Sequence, residues 1–336
     1  MRIGIAGLGR IGAFHARTLA GLAAVDDLVF YDVLPQAAHT AADELGASVA
    51  TSVEGLLASG LDGFVITSGT STHAPLLRAG VAAGVPTFCE KPLAADLTES
   101  IELVRLVTDS QVPVQIGFQR RFDAAYRRLR EAVQGGELGV PHLLRANTHD
   151  ASPPPAAYVP TSGGIFRDCN VHDFDILRFV TGREVVTAYA VGANKGDSYF
   201  GEAGDVDTGA AVLTLDDGTL ALVSSTRYNG GGHDVRMEVH GSAGALAVGL
   251  DDSLAFTSAE PGVTFPPGPP HDSFMDRFGP AYRAELTAFV EVARGASPSP
   301  CTVVDALEAF RTAEACARSL DSGRPVALTD IPTLPE

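Results

Sequence analysis

Arg2-Ile3-Gly4-Ile5-Ala6-Gly7-Leu8-Gly9-Arg10-Ile11-Gly12 is the stretch that decides the fold. A short apolar strand, Ile3–Ala6, runs into a G-x-G-x-x-G. A helix-length segment follows, Ile11 to Leu22, with apolar Ile11, Phe14, Thr18/Leu19 and Leu22 on one face. Gly7 permits a tight turn, Gly9 lets the backbone approach a pyrophosphate, and Gly12 lets helix and strand pack closely. The helix start, from Arg10 and Ile11 onward, offers its free N–H groups to the diphosphate. Asp32 ends the next strand 20 residues after Gly12. In that strand–turn–helix context Gly7, Gly9, Arg10, Ile11, Gly12 and Asp32 read as a dinucleotide site. A carboxylate at position 32 accepts hydrogen bonds from a ribose 2′-OH and repels a 2′-phosphate. The following Val33-Leu34 offers no Arg or Ser to hold such a phosphate, so NAD is preferred over NADP.

Outward from this motif, strands Leu28–Tyr31, Gly63–Thr67, Thr87–Cys89 and Val112–Ile116 alternate with helical segments. That alternation predicts an α/β domain with a parallel, doubly wound sheet over residues 1–118. Beyond Phe118 the pattern changes. An Arg-rich amphipathic segment, Gln119 to Val133, leads to a strand near His142–Thr148, a Pro-rich loop from Ser152 to Pro160, and a helix from Ile165 to Val180. Val206–Leu215 and Thr219–Tyr228 alternate with period two around Asp216-Asp217-Gly218, a hairpin signal, and Val235–His240 and Ala245–Val248 continue it. Residues 119–336 therefore read as an α+β domain, with a mostly antiparallel sheet of about six strands and helices on one face. Pro266 to Pro270 is a loop. Two closing helices, Ala281–Arg294 and Val303–Ser322, are placed to pack back on the first domain.

Composition narrows the function. With 24 Lys plus Arg against 41 Asp plus Glu, the net charge is −17, which argues against nucleic acid and anionic membrane surfaces as partners. No apolar run reaches the roughly 18 residues needed to span a bilayer, and the chain opens on a strand rather than a signal peptide. Cys89, Cys169, Cys301 and Cys316 show no C-x-x-C spacing, so neither a metal site nor a disulfide framework is expected, and the setting reads as cytoplasmic. Only two of the 24 basic residues are Lys, at positions 91 and 195.

Lys91 lies in Cys89-Glu90-Lys91-Pro92, at the carboxyl end of a parallel strand, where ligands of open α/β sheets bind. Its ammonium is compact and its pKa can be moved, unlike that of Arg. Glu90 beside it is placed to hold the ammonium, and Pro92 disfavours helix at Lys91. A second constellation is Gly163-Gly164-Ile165-Phe166-Arg167-Asp168-Cys169-Asn170-Val171-His172. Asp168 and His172 are four apart and so share one helix face. A carboxylate fixes the imidazole tautomer and supports the imidazolium, which suits a base that takes a hydroxyl proton while hydride leaves carbon. As a metal site the pair lacks a third ligand; a satisfied structural pair is the other reading.

Together these motifs resemble the glucose–fructose oxidoreductase, inositol dehydrogenase and rhizopine-catabolism (Gfo/Idh/MocA) family over nearly the whole chain. Gly117-Phe118-Gln119-Arg120-Arg121-Phe122-Asp123, with Asp276-Arg277-Phe278 and Ala281-Tyr282, is most similar to its inositol 2-dehydrogenase branch. The resemblance implies NAD-dependent oxidation of a cyclitol or sugar secondary alcohol. His172 would be the acid/base, Asp168 its orienter, and Lys91 the group stabilising negative charge on the reacting oxygen. It further implies that Ser68, Gly69, Thr70 and His73, with Glu90 and Lys91, line the cofactor site, and that Gln119, Arg120, Thr148 and His233 contact substrate beside the catalytic three. Thr148 stands where the branch has a His and His233 where it has a Tyr, which changes the hydrogen-bond pattern offered to a polyol. The family resemblance also implies a homo-oligomer, dimer or tetramer, with one face of the second sheet against another subunit. Two other readings are an NADP-using sugar ketoreductase, opposed by Asp32, and a non-catalytic dinucleotide sensor, which has no need of Lys91, Asp168 and His172 together.

Overall fold

The computed structural model describes residues 1–334. The chain divides into two compact units. The first holds Met1–Phe122 and Pro280–Leu307, and the second holds Asp123–Gly279 and Glu308–Pro332.

In the first unit, β1 (Arg2–Ala6), β2 (Asp27–Tyr31), β3 (Ser48–Val49), β4 (Gly63–Ile66), β5 (Thr87–Glu90) and β6 (Val114–Gly117) form one sheet. The order is β3-β2-β1-β4-β5-β6 and every pairing is parallel. The strand order reverses between β1 and β4, the switch point where doubly wound sheets bind ligands. Helices covering both faces explain why these strands read as unbroken apolar runs. The core joins Ile3, Ile5, Phe30, Val65 and Phe88 to Leu286, Phe289 and Val290 from the helix Gly279–Ala293. That helix buries its apolar face here and so counts with the first unit, although it comes late in sequence.

The first helix spans Arg10–Ala20 and buries Gly12, His15, Ala16 and Leu19. Leu19 and Leu22 are buried as the expected stripe requires, whereas Ile11, Phe14 and Thr18 are only half-buried and a histidine takes a core position.

In the second unit, β7 (Pro141–His149), β8 (Val185–Ala193), β9 (Thr208–Leu215), β10 (Leu220–Thr226), β11 (Asp234–Gly241), β12 (Ala245–Val248) and β13 (Val326–Ala327) form a seven-stranded sheet, ordered β12-β11-β7-β10-β9-β8-β13. Only β7 and β10 pair parallel. The hairpin expected around Asp216-Asp217-Gly218 is β9–β10. One sheet face is covered by helices; for example, the Ser319 hydroxyl receives the Ala190 N–H.

One expected amphipathic segment and one expected helix are broken. The segment predicted as Gln119–Val133 is a 3-10 turn, Gln119–Phe122, followed by a helix Ala124–Gln134. Asp123 separates them because its carboxylate caps the second by accepting from the Ala125 and Tyr126 N–H groups. The segment predicted as one helix from Ile165 to Val180 begins as a π-helical turn, Phe166–Asn170, and becomes α-helix only at Val171–Thr181. No described helix is long and apolar enough to cross a membrane.

Candidate active site

The three glycines after β1 have distinct steric roles. Gly7 has φ +99°, and a Cβ there would sit 2.4 Å from the Ser68 backbone nitrogen. A Cβ on Gly12 would lie 1.9 Å from the Gly7 carbonyl oxygen, so the helix start packs on the loop only without a side chain. Gly9 differs: a Cβ there meets nothing within 4 Å. That free space borders the start of the Arg10–Ala20 helix, which has no side-chain cap. Open volume beside uncapped N–H groups fits a pyrophosphate.

Asp32 closes the same loop. Its Oδ2 accepts the Leu8 N–H at 2.6 Å and its Oδ1 accepts the Leu34 N–H at 2.8 Å. A carboxylate has about four lone-pair sites, so acceptor capacity remains for ribose hydroxyls. After β4, Ser68 Oγ lies 2.5 Å from Thr72 Oγ1, Gly69 is exposed, and Thr70 begins a short 3-10 turn.

Lys91 is half-buried at the end of β5. Glu90 accepts from the His15 Nε2–H at 2.6 Å and from Lys91's own backbone N–H at 3.2 Å. On the other side, His73 Nδ1 lies 2.7 Å from the Pro92 carbonyl and Nε2 lies 3.1 Å from the Ser68 carbonyl. Burial lowers the His73 pKa despite those carbonyls. His73 therefore joins the loops after β4 and β5. Gln119 and Arg120 are buried in the 3-10 turn after β6.

In the second unit, the residues of the π-helical turn are anchored almost one by one. Arg167 bonds Glu314 at 2.6 Å and the Gly163 carbonyl at 2.7 Å. Asp168 Oδ1 accepts the Tyr158 hydroxyl at 2.9 Å, and Oδ2 accepts Arg227 Nη2 at 2.6 Å. Asn170 accepts the Ser225 hydroxyl and donates to Asp173. His172 follows, half-buried, in the first turn of the α-helix. Burial and the Asp168 carboxylate both push the Tyr158 phenol pKa up, so it stays protonated and donates.

Arg227 also reaches Asp150 at 3.1 Å, and Asp150 lies 3.6 Å from His233 Nδ1. Burial alone would raise the Asp150 pKa, but His233 and Arg227 outweigh it and the net shift is downward. Tyr158, Asp150 and Arg227 were not anticipated from sequence. Arg227 had a readable signal: Ala221, Val223 and Ser225 set the buried parity of β10, and Arg227 continues it. Thr148 is buried with its hydroxyl donated to Asp173, tying β7 to the helix Val171–Thr181. His149, one residue on, has the opposite parity and bonds Ser224.

Comparison with known proteins decides what this arrangement belongs to. Residues 1–118 match the Gfo/Idh/MocA oxidoreductase family with its NAD-binding Rossmann fold, and residues 126–247 match the Gfo/Idh/MocA C-terminal domain. The chain belongs to the Gfo/Idh/MocA oxidoreductases. A myo-inositol dehydrogenase of Streptomyces leeuwenhoekii is 42% identical, with 97% of this chain and 100% of that protein covered. An NAD(+)-dependent scyllo-inositol 2-dehydrogenase of Bacillus subtilis is 34% identical over 98% and 96%. Among solved structures, a scyllo-inositol dehydrogenase of Lactobacillus casei with bound NAD(H) and scyllo-inositol superposes with TM-score 0.87 at 28% identity, covering 98% of each chain. The Rossmann domain of a Gfo/Idh/MocA protein takes NAD as its cofactor, and the open volume beside Gly9 fits its pyrophosphate.

Proposed function

We propose that this Gfo/Idh/MocA protein is an NAD-dependent dehydrogenase that oxidises a ring hydroxyl of a cyclitol, of the inositol class, to the ketone. The observation that carries this reading is full-length similarity to inositol dehydrogenases in a chain that also has Lys91, Asp168 and His172. NAD supplies the hydride acceptor. His172 takes the hydroxyl proton as the C–H bond breaks, and Asp168, held by Tyr158 and Arg227, fixes its tautomer and supports the imidazolium. Lys91 binds the reacting oxygen and stabilises its developing negative charge. Gln119, Arg120 and His233 bind other hydroxyls, and Thr148 shapes that surface through Asp173. Ser68, Gly69 and Thr70 border the cofactor.

The outward face of β8–β10 supports self-association. Leu222, Val212 and Tyr189 stand directly across from one another in register and are 38%, 42% and 39% exposed. Val186, Val191 and Leu220 extend this apolar surface, and Arg145 and Glu238 on neighbouring strands of the same face give it both signs of charge. A patch carrying both charges is self-complementary under a two-fold, so its occupant is a second copy of this chain. Four buried free thiols suit a cytoplasmic setting.

The test mixes purified protein with NAD, and separately NADP, across a panel of inositols and common sugars, following absorbance of the reduced nicotinamide. Reduction of NAD by a cyclitol is expected. Silence across the panel with NAD bound by calorimetry would overturn the catalytic reading.

A further inference from the structure

Each residue flanking Lys91 is tied to a buried histidine. Glu90 is held by His15 and the Pro92 carbonyl by His73. His15 comes from the helix that starts at the glycine loop, and its side chain is fully buried. Its ring lies edge-on to Phe88 at 5.7 Å and to Tyr282 at 5.5 Å, which leaves it one orientation. Among the described residues its Nδ1 is buried without a hydrogen-bond partner, and Glu90 is the only polar group its side chain serves. A leucine would fill this space without stranding a polar atom, so the imidazole is explained by the one bond it makes. The carboxylate it holds is confined as well. Gly117 sits opposite Glu90 across β5–β6, and a Cβ there would lie 3.0 Å from Glu90 Oε2.

We infer that His15 and His73 are positioning residues for Lys91, gripping the turn from both sides so that its ammonium leaves the backbone in one direction. The clamp joins the glycine-loop helix, the loop after β4 and the turn after β5 into one rigid piece. A reacting atom displaced by about 1 Å can lose a hundredfold in rate, which gives the clamp its consequence. The inference rests on the catalytic reading of Lys91 proposed above.

The scarcity of lysine makes it testable directly. In a Lys195→Arg background Lys91 is the only lysine, so reductive methylation with 13C-formaldehyde places one side-chain dimethyl-lysine signal in the NMR spectrum. His15→Leu and His73→Leu are expected to shift and broaden that signal, whereas His15→Gln, which keeps an N–H donor, restores it. On unmethylated protein, kcat should fall about tenfold to a hundredfold in the leucine variants, with the NAD dissociation constant by calorimetry unchanged in His15→Leu. Should a leucine variant fail to fold, Gly117→Ala keeps the His15 imidazole while its Cβ crowds the Glu90 carboxylate and the Phe88 ring, each at 3.0 Å, and should move the Lys91 signal in the same way. A signal unchanged in the folded variants overturns the clamp. Lys91→Ala separates the two ideas: normal turnover there removes the catalytic reading, while lost turnover with an unmoved signal in the clamp variants removes only the clamp.

Discussion

Arg227 Nη2 lies 2.6 Å from Asp168 Oδ2, joining residues 59 apart in sequence, and the same guanidinium reaches Asp150 at 3.1 Å. Arg227 is nearly inaccessible, so two carboxylates depend on one buried cation. Removing one partner of a buried pair costs about 3–5 kcal/mol, because the remaining charge stays desolvated. Arg227→Met should therefore lower the melting temperature and nearly abolish turnover. Arg227→Lys keeps the charge but not the fork that spans both carboxylates, and should retain more stability than activity. A thermal melt beside steady-state kinetics checks both, and wild-type kcat in Arg227→Lys would count against the role of the fork.

Gly9 and Gly12 should separate cofactor binding from folding. The Cβ of Gly12→Ala meets a backbone oxygen at 1.9 Å, and overpacking of this kind costs about 1–3 kcal/mol or more. Gly9→Ala meets nothing, with φ −64° that any residue adopts. Calorimetry with NAD and thermal melts should show Gly12→Ala destabilised, and Gly9→Ala equally stable but weaker in binding NAD. Wild-type affinity in Gly9→Ala would mean that the open space is not where the pyrophosphate approaches.

Asp32→Ala removes the repulsion toward a 2′-phosphate and leaves the Leu8 N–H without its acceptor. Hydrogen bonds to charged groups are worth about 1.5–3 kcal/mol, so NAD affinity should fall about tenfold or more. The ratio of NAD to NADP efficiency should fall as well, and an unchanged ratio in kcat/KM would remove Asp32 from cofactor choice.

The sequence revealed the elements whose cause is local. The glycine loop, the strand–helix alternation and the Asp216-Asp217-Gly218 hairpin each follow from residues within a few positions of one another. β3 and β13, two residues each, carry too little pattern to register. The π-helical turn was hidden because five residues cannot distinguish an i+4 from an i+5 repeat; its anchors, Glu314, Tyr158, Arg227 and Ser225, all lie outside the turn. His15 escaped notice because the apolar stripe read from sequence leaves it on the flank, whereas the helix buries it. Arg227, which holds Asp168, becomes visible only once the parity of β10 is known.

Val212 lies at the middle of the apolar row on β8–β10, between Leu222 and Tyr189. Val212→Asp would place a carboxylate where a second copy is proposed to pack, while leaving the buried face of the strand untouched. Sedimentation should show the parent as a dimer or larger and Val212→Asp dissociated, with the fold intact by circular dichroism. A monomeric parent would remove the second copy from this face.

Stability should also depend on acid through Glu314. Burial would raise its pKa, but Arg167 at 2.6 Å and Arg318 at 3.0 Å outweigh this, so the folded-state value lies below the ordinary carboxylate value. A lowered folded pKa means that the stabilisation is present above the unfolded value, about 4.3 for Glu, and is lost as pH falls through the folded one. Glu314→Gln should therefore be less stable than the parent at pH 7, by an amount that shrinks below about pH 4 as the parent's carboxylate protonates. Because Arg167 also holds the Gly163 carbonyl before the π-helical turn, the substitution should loosen the approach to Asp168 and lower kcat. Thermal melts of both proteins from neutral to acid pH check the sign. A gap that widens toward acid would show that Glu314 is held in its protonated form and that the ion pair contributes nothing.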